Sequence, residues 1–337
     1  MKRPLITVLA AAMLLSPLAT LTAQADEVRS RMIRFGYGLN EQSNQGRAAK
    51  LFAEEVGKAS AGKLKMRTYA AASLGSDDQM QSALIGGAQE MMVGSTATLV
   101  GITQEMAVWD TPFLFTREQQ ADAVLDGPVG RQVMDKLEEK GLVGLVYWEN
   151  GFRNMTNNTR PITKLEDFSG IKLRVMPNPV FLETFNLMGA NAVPLPFSEL
   201  FTALETKAVD GQENPFNTIL SSKFFEVQKY LTVTNHVYSP WIVTASKRWW
   251  DGLSQTEQGI IMDAALKARD FERQDTRAEA AKALAQLKEN GMQVNQISAD
   301  EVQRMRERAK PAIQQVIDTV GQPLFDQVQA ELAKTEN

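Results

Sequence analysis

Residues 170–206 read GIKLRVMPNPVFLETFNLMGANAVPLPFSELFTALET, and this stretch decides the fold class. Alternating apolar and polar residues predict a strand over residues 171–175. A proline in the first turn and Gly189 just beyond the end predict a helix over residues 179–188. A second strand is predicted over residues 192–195, followed by a helix that Ser198 caps. Strands that alternate with helices indicate a mostly parallel sheet covered by helices on both faces.

The same alternation of strands and helices continues on either side of this stretch. Ser76 and Gln79 form a capping box that starts one of the helices. Residues 235–240 are predicted to cross between two units of the fold. The other predicted strands are residues 32–39, 64–70, 91–94, 142–148, 230–234 and 241–245, and the other predicted helix is residues 47–59.

The C-terminal part is predicted to be helical. Ser254 and Glu257 form a second capping box, and helix-favouring residues continue to Asn290. About 36 residues at 1.5 Å each would reach roughly 54 Å, which is longer than one lobe is wide. Gly259 and residues 270–276 are places where this helix could break. A strand over residues 292–297 and a helix from Ser298 to Gly321 are predicted after it.

The first 25 residues have the pattern of a secretory signal peptide. Lys2 and Arg3 precede an apolar run over residues 5–15, and Ala23-Gln24-Ala25 is a typical cleavage site. A membrane anchor is the alternative, but the apolar run is shorter than the roughly 20 residues that span a bilayer. We therefore expect an exported protein whose mature chain begins at Asp26.

Composition limits the possible partners. Without residues 1–25 the chain has 34 lysines and arginines against 40 acidic residues, a net charge of −6. This balance provides no general attraction for nucleic acid, so an anionic ligand needs a local cluster of cations. The chain has no cysteine, which excludes disulfides and thiolate metal sites. Its length favours two lobes rather than one core.

Arg174 is the first candidate for such a cation. It ends the predicted strand over residues 171–175, on the face opposite Leu173 and Val175. Ligands of open α/β sheets bind at the carboxyl ends of strands, where a guanidinium can grip a carboxylate with two hydrogen bonds. An ordinary surface ion pair is the alternative that position alone leaves open.

Five pieces of sequence between residues 150 and 217 carry a family resemblance. They are NGFR (150–153), TNN (156–158), GIKLRV (170–175), PFSELFTAL (196–204) and VDGQENP (209–215). With these pieces the chain resembles the DctP family, the periplasmic substrate-binding proteins of tripartite ATP-independent periplasmic (TRAP) transporters. The resemblance implies a two-lobed α/β fold of the Venus-flytrap type, with mixed, mostly parallel sheets and a long C-terminal helix that braces both lobes. It also implies a periplasmic location and separate small and large membrane permease subunits as partners.

We predict lobe boundaries from this fold. Residues 26–150 and 239–279 form lobe I, and residues 151–238 and 280–337 form lobe II. The resemblance also assigns ligand contacts in lobe II. Arg174 is expected to make a bidentate contact with the ligand carboxylate. Arg153 is expected to reach the same anion or its nearby hydroxyls. Asn214 is expected to hydrogen-bond the carboxylate, and Phe197 to form an apolar wall.

Met176 and five polar residues complete the predicted site. Met176 lies next to Arg174, and core packing is the alternative for it and for Phe197. Asp77 also fits the first turn of a helix, where an anion is stabilising, and loop positions are the alternative for Asn40 and Ser95. The predicted lobe I contacts are Asn40, Glu41, Asp77, Ser95 and Asn150.

The number of polar groups bears on the class of ligand. Buried hydroxyls need hydrogen-bond partners, so a site this polar favours a hydroxyl-rich acid. Residues 148–153 and 235–240 resemble members that bind sugar acids such as glucuronate or galacturonate, and a C4-dicarboxylate is the main competitor. An enzyme is disfavoured because His236 is the only histidine and no Gly-x-Ser-x-Gly elbow occurs. A secreted glycoside-acting enzyme with paired carboxylates is the remaining alternative. We predict no cofactor and no metal.

Overall fold

Two separate β-sheets organise the chain in the computed structural model, which describes residues 27–335. The first sheet has five strands in the order β2-β1-β3-β10-β4, and the second has six in the order β11-β9-β5-β8-β6-β7. The strands are β1 (Arg31–Tyr37), β2 (Leu64–Tyr69), β3 (Met91–Ser95), β4 (Leu142–Phe152), β5 (Asn154–Asn157), β6 (Lys172–Val175), β7 (Asn191–Pro194), β8 (Gly211–Asn214), β9 (Tyr230–Val233), β10 (Tyr238–Ser246) and β11 (Gln293–Gln296).

Helices cover both sheets. The α-helices are α1 (Asn44–Ala59), α2 (Asp77–Ile85), α3 (Glu118–Leu125), α4 (Pro128–Asp135), α5 (Pro179–Leu187), α6 (Phe197–Glu205), α7 (Phe216–Ser221), α8 (Lys247–Trp250), α9 (Gln255–Glu289), α10 (Ala299–Arg308), α11 (Lys310–Val320) and α12 (Gln322–Lys334). Within residues 27–335, no helix has the length and apolar character needed to cross a membrane.

Both sheets contain parallel and antiparallel strand pairs, as the sequence predicted. Strand β1 pairs in parallel with β2 and β3, and β6 pairs in parallel with β7 and β8. Strand β10 is antiparallel to β3 and β4, and β5 is antiparallel to β8 and β9. The predicted fold class, two α/β lobes with mixed and mostly parallel sheets, is confirmed. The residue boundaries predicted for the lobes stay a prediction.

The chain crosses between the sheets at two adjacent places. Strand β4 ends at Phe152 in the first sheet and β5 begins at Asn154 in the second. The return crossing lies between β9 and β10, and the Arg153 amide N–H donates to the Val237 carbonyl at 2.9 Å. The predicted crossing over residues 235–240 is therefore shorter than expected, because Tyr238 already pairs with Phe152 in the first sheet. These two connections form the hinge.

Helix α9 braces both lobes, as predicted. It is continuous for 35 residues, and its capping box at Ser254 and Glu257 is present. Ala264 and Ala268 join the core of the first sheet, whereas Leu287 joins the core beside the second. The helix does not break at Gly259 or within residues 270–276. In the latter segment Glu272 is buried and accepts a hydrogen bond from the Glu149 N–H at 2.7 Å.

Two local predictions need correction. Ser198 does not cap α6: Pro196 is the N-cap residue and Phe197 is already helical. The helix predicted from Ser298 to Gly321 is two helices, because Pro311 lacks the N–H that an uninterrupted helix requires. The elements that were not predicted are helices α3, α4, α7, α8 and α12 and strands β5 and β8.

Candidate functional site

A cavity lies between the two lobes. Strand ends and helix starts from both sheets line it, which is the usual position for a ligand in folds of this kind. Eight of the ten residues predicted from the sequence line this cavity. They are Asp77, Ser95 and Asn150 from the first-sheet side, and Arg153, Arg174, Met176, Phe197 and Asn214 from the second-sheet side.

Arg174 is a buried cation with spare hydrogen-bonding capacity. Its side chain is 1% exposed, and its Nε donates to the Leu195 carbonyl at 2.8 Å. Its Nη1 is buried and has no hydrogen-bond partner within residues 27–335. Burial lowers the pKa of Arg174 to about 10, with Glu213 opposing this effect and Arg153 adding to it. The guanidinium therefore remains charged at neutral pH and can bind an anion through donors that the protein does not use.

Arg153 is also buried, but its fork is already occupied by Glu213. Its Nε contacts one carboxylate oxygen, and its Nη2 donates to the other at 2.8 Å and to the Glu213 carbonyl at 2.6 Å. The guanidinium lies 5.6 Å from the centre of the Phe181 ring. Only Nη1 has no partner among the described residues. Arg153 can thus offer a ligand one donor group, Nη1.

His236 completes a buried group with Arg153 and Glu213. Its Nε2 lies 3.1 Å from Glu213 Oε2, and its Nδ1 lies 2.8 Å from the Thr234 hydroxyl. Burial lowers the pKa of His236, and the charge of Arg153 acts in the same direction, so the ring is neutral at pH 7. Burial alone would raise the pKa of Glu213, but the charge and hydrogen bonds of Arg153 overcome it and lower that pKa. The histidine thus hydrogen-bonds the carboxylate that pairs with Arg153.

Asn214 and Asn150 present amide groups from opposite sides of the cavity. Asn214 ends β8, and its Nδ2 donates to Gln212 Oε1 at 2.6 Å. Asn150 lies near the end of β4, and its Oδ1 accepts from the Thr218 hydroxyl at 3.0 Å. These contacts fix the orientation of each amide and leave the Asn214 oxygen and the Asn150 nitrogen for a ligand.

Phe197 and Met176 form apolar parts of the wall. Phe197 is the first residue of α6, and its ring centre lies 6.0 Å from that of Phe224. The Met176 sulfur lies 3.4 Å from the Ser95 hydroxyl oxygen, so the two lobes meet at this point. Both residues therefore pack and line the cavity at once, which removes the choice between core and site that the sequence left open.

Asp77 both begins a helix and lines the cavity. It is the first residue of α2, and its Oδ2 accepts from the Ser95 N–H at 3.0 Å. Burial raises the pKa of Asp77 to about 6, the neighbouring Asp78 adds to the shift, and Arg174 opposes it. Asp77 is consequently charged at neutral pH and loses that charge under mildly acidic conditions.

Two predicted residues lie outside the cavity. Asn40 Nδ2 donates to the Ser221 carbonyl at 2.7 Å, which joins the loop after β1 to α7 of the other lobe. Glu41 is exposed to solvent and does not line the cavity. The structure therefore places Asn40 in a contact between the lobes and Glu41 on the surface. Both were expected next to the ligand because they follow the first strand, but the chain turns away from the cavity there.

Sequence reasoning missed several lining residues. Gln45 is 2% exposed, and its Oε1 accepts from the Leu39 N–H at 3.0 Å. The sequence gives no sign of this position, because a glutamine in the first turn of a helix is expected to be exposed. Thr98, Thr218 and Trp241 also line the cavity, but they carry no local signal. No group of three or more acidic or histidine side chains in the described part of the chain could hold a metal ion.

Two α/β lobes joined by a hinge, with an arginine-lined cavity between them, define a solute-binding protein of the kind that serves membrane transport. Residues 35–319 match the model of the DctP family, described as bacterial extracellular solute-binding protein, family 7. The chain belongs to this family, which confirms the resemblance seen in the sequence. Members of the family bind substrates for transport and are not enzymes.

Individual relatives extend this picture. A crystal structure of the sugar acid binding protein DctPAm from Advenella mimigardefordensis, in complex with galactonate, is 49% identical with a TM-score of 0.89 and covers 91% of this chain and 99% of its own. The 2,3-diketo-L-gulonate-binding periplasmic protein YiaO of Escherichia coli is 37% identical over 79% of this chain and 81% of its own length. The C4-dicarboxylate-binding periplasmic protein DctP of Rhodobacter capsulatus is 31% identical over 90% of this chain and 91% of its own length.

Proposed function

We propose that this protein is the periplasmic solute-binding subunit of a TRAP transporter for a sugar acid, with a uronate such as glucuronate or galacturonate as the best candidate. The observation that carries this proposal is the buried Arg174, whose Nη1 has no partner within residues 27–335. Arg174 would hold the carboxylate, Arg153 would add one donor through Nη1, and Asn214 would bind beside them. Phe197 would pack against the carbon skeleton.

The hydroxyl groups of such a ligand would meet uncharged polar side chains. Gln45, Ser95, Thr98 and Asn150 line the cavity from the first-sheet side, and Thr218 lines it near α7. A hydroxyl buried without a partner costs about 1–3 kcal/mol, so this many polar groups favours a hydroxylated ligand over a plain one. The galactonate and 2,3-diketo-L-gulonate named for two relatives are acids of this kind.

A C4-dicarboxylate is the second candidate. Its support is the relative from Rhodobacter capsulatus, which spans 90% of this chain. The choice between the two is open to a direct measurement, because a ligand that binds only the folded protein raises its melting temperature. A thermal-shift panel of glucuronate, galacturonate, galactonate, succinate and malate should single out the sugar acids, and calorimetry should then give one site per chain.

Two variants make this test specific to the proposed site. Arg174→Gln removes the charge inside the cavity and should abolish the thermal shift. Arg308→Gln makes the same chemical change at an exposed position on α10 and should leave the shift intact. A panel in which neutral sugars or amino acids stabilise the protein and no carboxylic acid does would contradict the proposal.

Delivery to the transporter completes the proposed role. The loaded protein would dock on the small and large permease subunits in the periplasm, after export and removal of residues 1–25. Those residues lie outside the part of the chain that the structure describes. Mass spectrometry of protein from the periplasmic fraction should find Asp26 at the N-terminus. A mature chain that still contains Met1 would contradict the proposed export route.

A further inference from the structure

The charged groups of the cavity are few and unequal. Among the described residues that line it, only Arg153, Arg174, Asp77 and Asp78 carry a formal charge. The charge of Arg153 is balanced by Glu213, which is fully buried behind it. Arg174 is therefore the one cation of the described lining that has no carboxylate at hydrogen-bond distance, and Asp77 and Asp78 line the same cavity. Arg174 can hold one carboxylate of a ligand, whereas a second carboxylate would find no further free cation in this lining and would meet these two acids.

Asp77 is the acid that is placed to act on the ligand. Its Oδ2 is held by the Ser95 N–H, and its Oδ1 lies on the side of Gly38. A Cβ atom at Gly38 would lie 3.9 Å from this oxygen and 3.9 Å from the Phe197 ring. Asp77 and Phe197 thus border the same space, one from each lobe, and Gly38 keeps that space open.

Asp77 and Arg174 also interact electrostatically with each other. Ser95, whose N–H donates to Asp77, places its hydroxyl oxygen 3.4 Å from the sulfur of Met176, which follows Arg174 by two residues. Asp78 is exposed at the rim and is therefore screened by water. Asp77 and Arg174 line the same cavity and are close enough to interact, so a ligand whose carboxylate is bound by Arg174 is expected within reach of the Asp77 carboxylate.

We propose that Asp77 makes this cavity selective for hydroxylated acids with one carboxylate, because it accepts a hydrogen bond from a ligand hydroxyl and repels a second carboxylate. This inference rests on the proposed function and names the chemical class of its substrate. It places uronates and aldonates inside the class, and it places aldarates and C4-dicarboxylates outside it. The eight uncharged polar residues of the lining supply partners for the remaining hydroxyls.

Matched pairs of acids test the inference. Galactonate and galactarate differ only in the terminal CH₂OH group, which is a second carboxylate in galactarate, and erythronate and meso-tartrate differ in the same way. Calorimetry on the full-length mature protein should give at least about tenfold tighter binding for the monocarboxylate, since like charges brought together at a binding surface strongly disfavour association. The Asp77→Asn variant keeps the size of the side chain and removes its charge, so this ratio should fall at least about fivefold.

A control variant separates local from general charge effects. Asp318→Asn makes the same change at an exposed position on α11 and should keep the wild-type ratio. Wild-type protein that binds the dicarboxylate of either pair as tightly as its partner would overturn the inference while the proposed function stands. An unchanged ratio in Asp77→Asn would likewise overturn it. If no acid in the panel binds to the wild-type protein, the proposed function itself fails.

Discussion

Substitution of the two buried arginines should have different effects, because only Arg153 is hydrogen-bonded to a carboxylate of the protein itself. Arg174 makes one side-chain hydrogen bond, to the Leu195 carbonyl. Arg153 makes three, all to Glu213, and both members of that pair are buried. Arg174→Ala should therefore affect ligand binding, whereas Arg153→Ala should affect the stability of the fold.

The expected magnitudes follow from what each change leaves behind. Losing a charge that binds a buried carboxylate costs about 2–5 kcal/mol, so Arg174→Ala should weaken binding of the sugar acid roughly 30-fold to several thousand-fold. Its effect on unfolding should stay near the value of one hydrogen bond, about 1 kcal/mol. Arg153→Ala leaves Glu213 charged and buried, and breaking such a pair destabilises a protein by about 3–5 kcal/mol.

Calorimetry with the ligand and urea denaturation without it separate these outcomes. A double variant gives a further test: Arg153→Met with Glu213→Gln removes both charges and should regain part of the stability that Arg153→Ala loses. The reasoning is refuted if Arg174→Ala keeps the wild-type affinity. It is also refuted if Arg153→Ala unfolds at the same urea concentration as the wild type.

Three further predictions follow from other contacts. Asn40→Ala removes the hydrogen bond to Ser221 between the lobes. The free energy of ligand binding, measured by calorimetry, should become weaker by about 0.5–1.5 kcal/mol. An unchanged affinity would show that this contact does not stabilise the ligand-bound arrangement of the lobes. Burial raises the pKa of Glu272 from 4.5 to about 8, so its contribution to stability is complete below pH 4.5 and is lost as the pH rises through 8. Urea denaturation from pH 6 to 9 should show this loss in the wild type and a smaller loss in Glu272→Gln, and equal slopes would contradict it. The preference for monocarboxylates should weaken below about pH 6, because Asp77 becomes protonated there. The charged groups that act on Asp77 are Asp78 on its own helix and Arg174 across the cavity. The Asp77→Asn variant should show no such pH dependence.

Local signals predicted most of the fold. The capping box at Ser254 and Glu257 lies within four residues of chain, and it starts α9 as expected. The alternation of Leu173 and Arg174 likewise gives β6 one face that packs in the core and one face that lines the cavity. Such patterns depend on neighbours in sequence, so they can be recognised without tertiary structure.

Such patterns did not predict contacts between residues that are far apart in the sequence. Arg153 and Glu213 are 60 positions apart, and nothing near either one indicates that they pair. Asn40 follows a strand in the same way as a ligand-binding residue would, yet its partner is a carbonyl 181 positions away. These distant pairings decide which polar groups remain available to a ligand, because each pairing occupies donors that would otherwise be free.

Arg174 would link the charge of the ligand to a movement of the two lobes about the hinge. In an open arrangement, water could solvate its guanidinium. In the structure the side chain is 1% exposed and burial lowers its pKa, so this arrangement disfavours an isolated cation there. A bound carboxylate would remove this penalty and a neutral molecule would not. The same burial that strengthens a contact with an anion would therefore make closure depend on an anion, and the ligand would select the closed state through a contact that an open state makes only weakly.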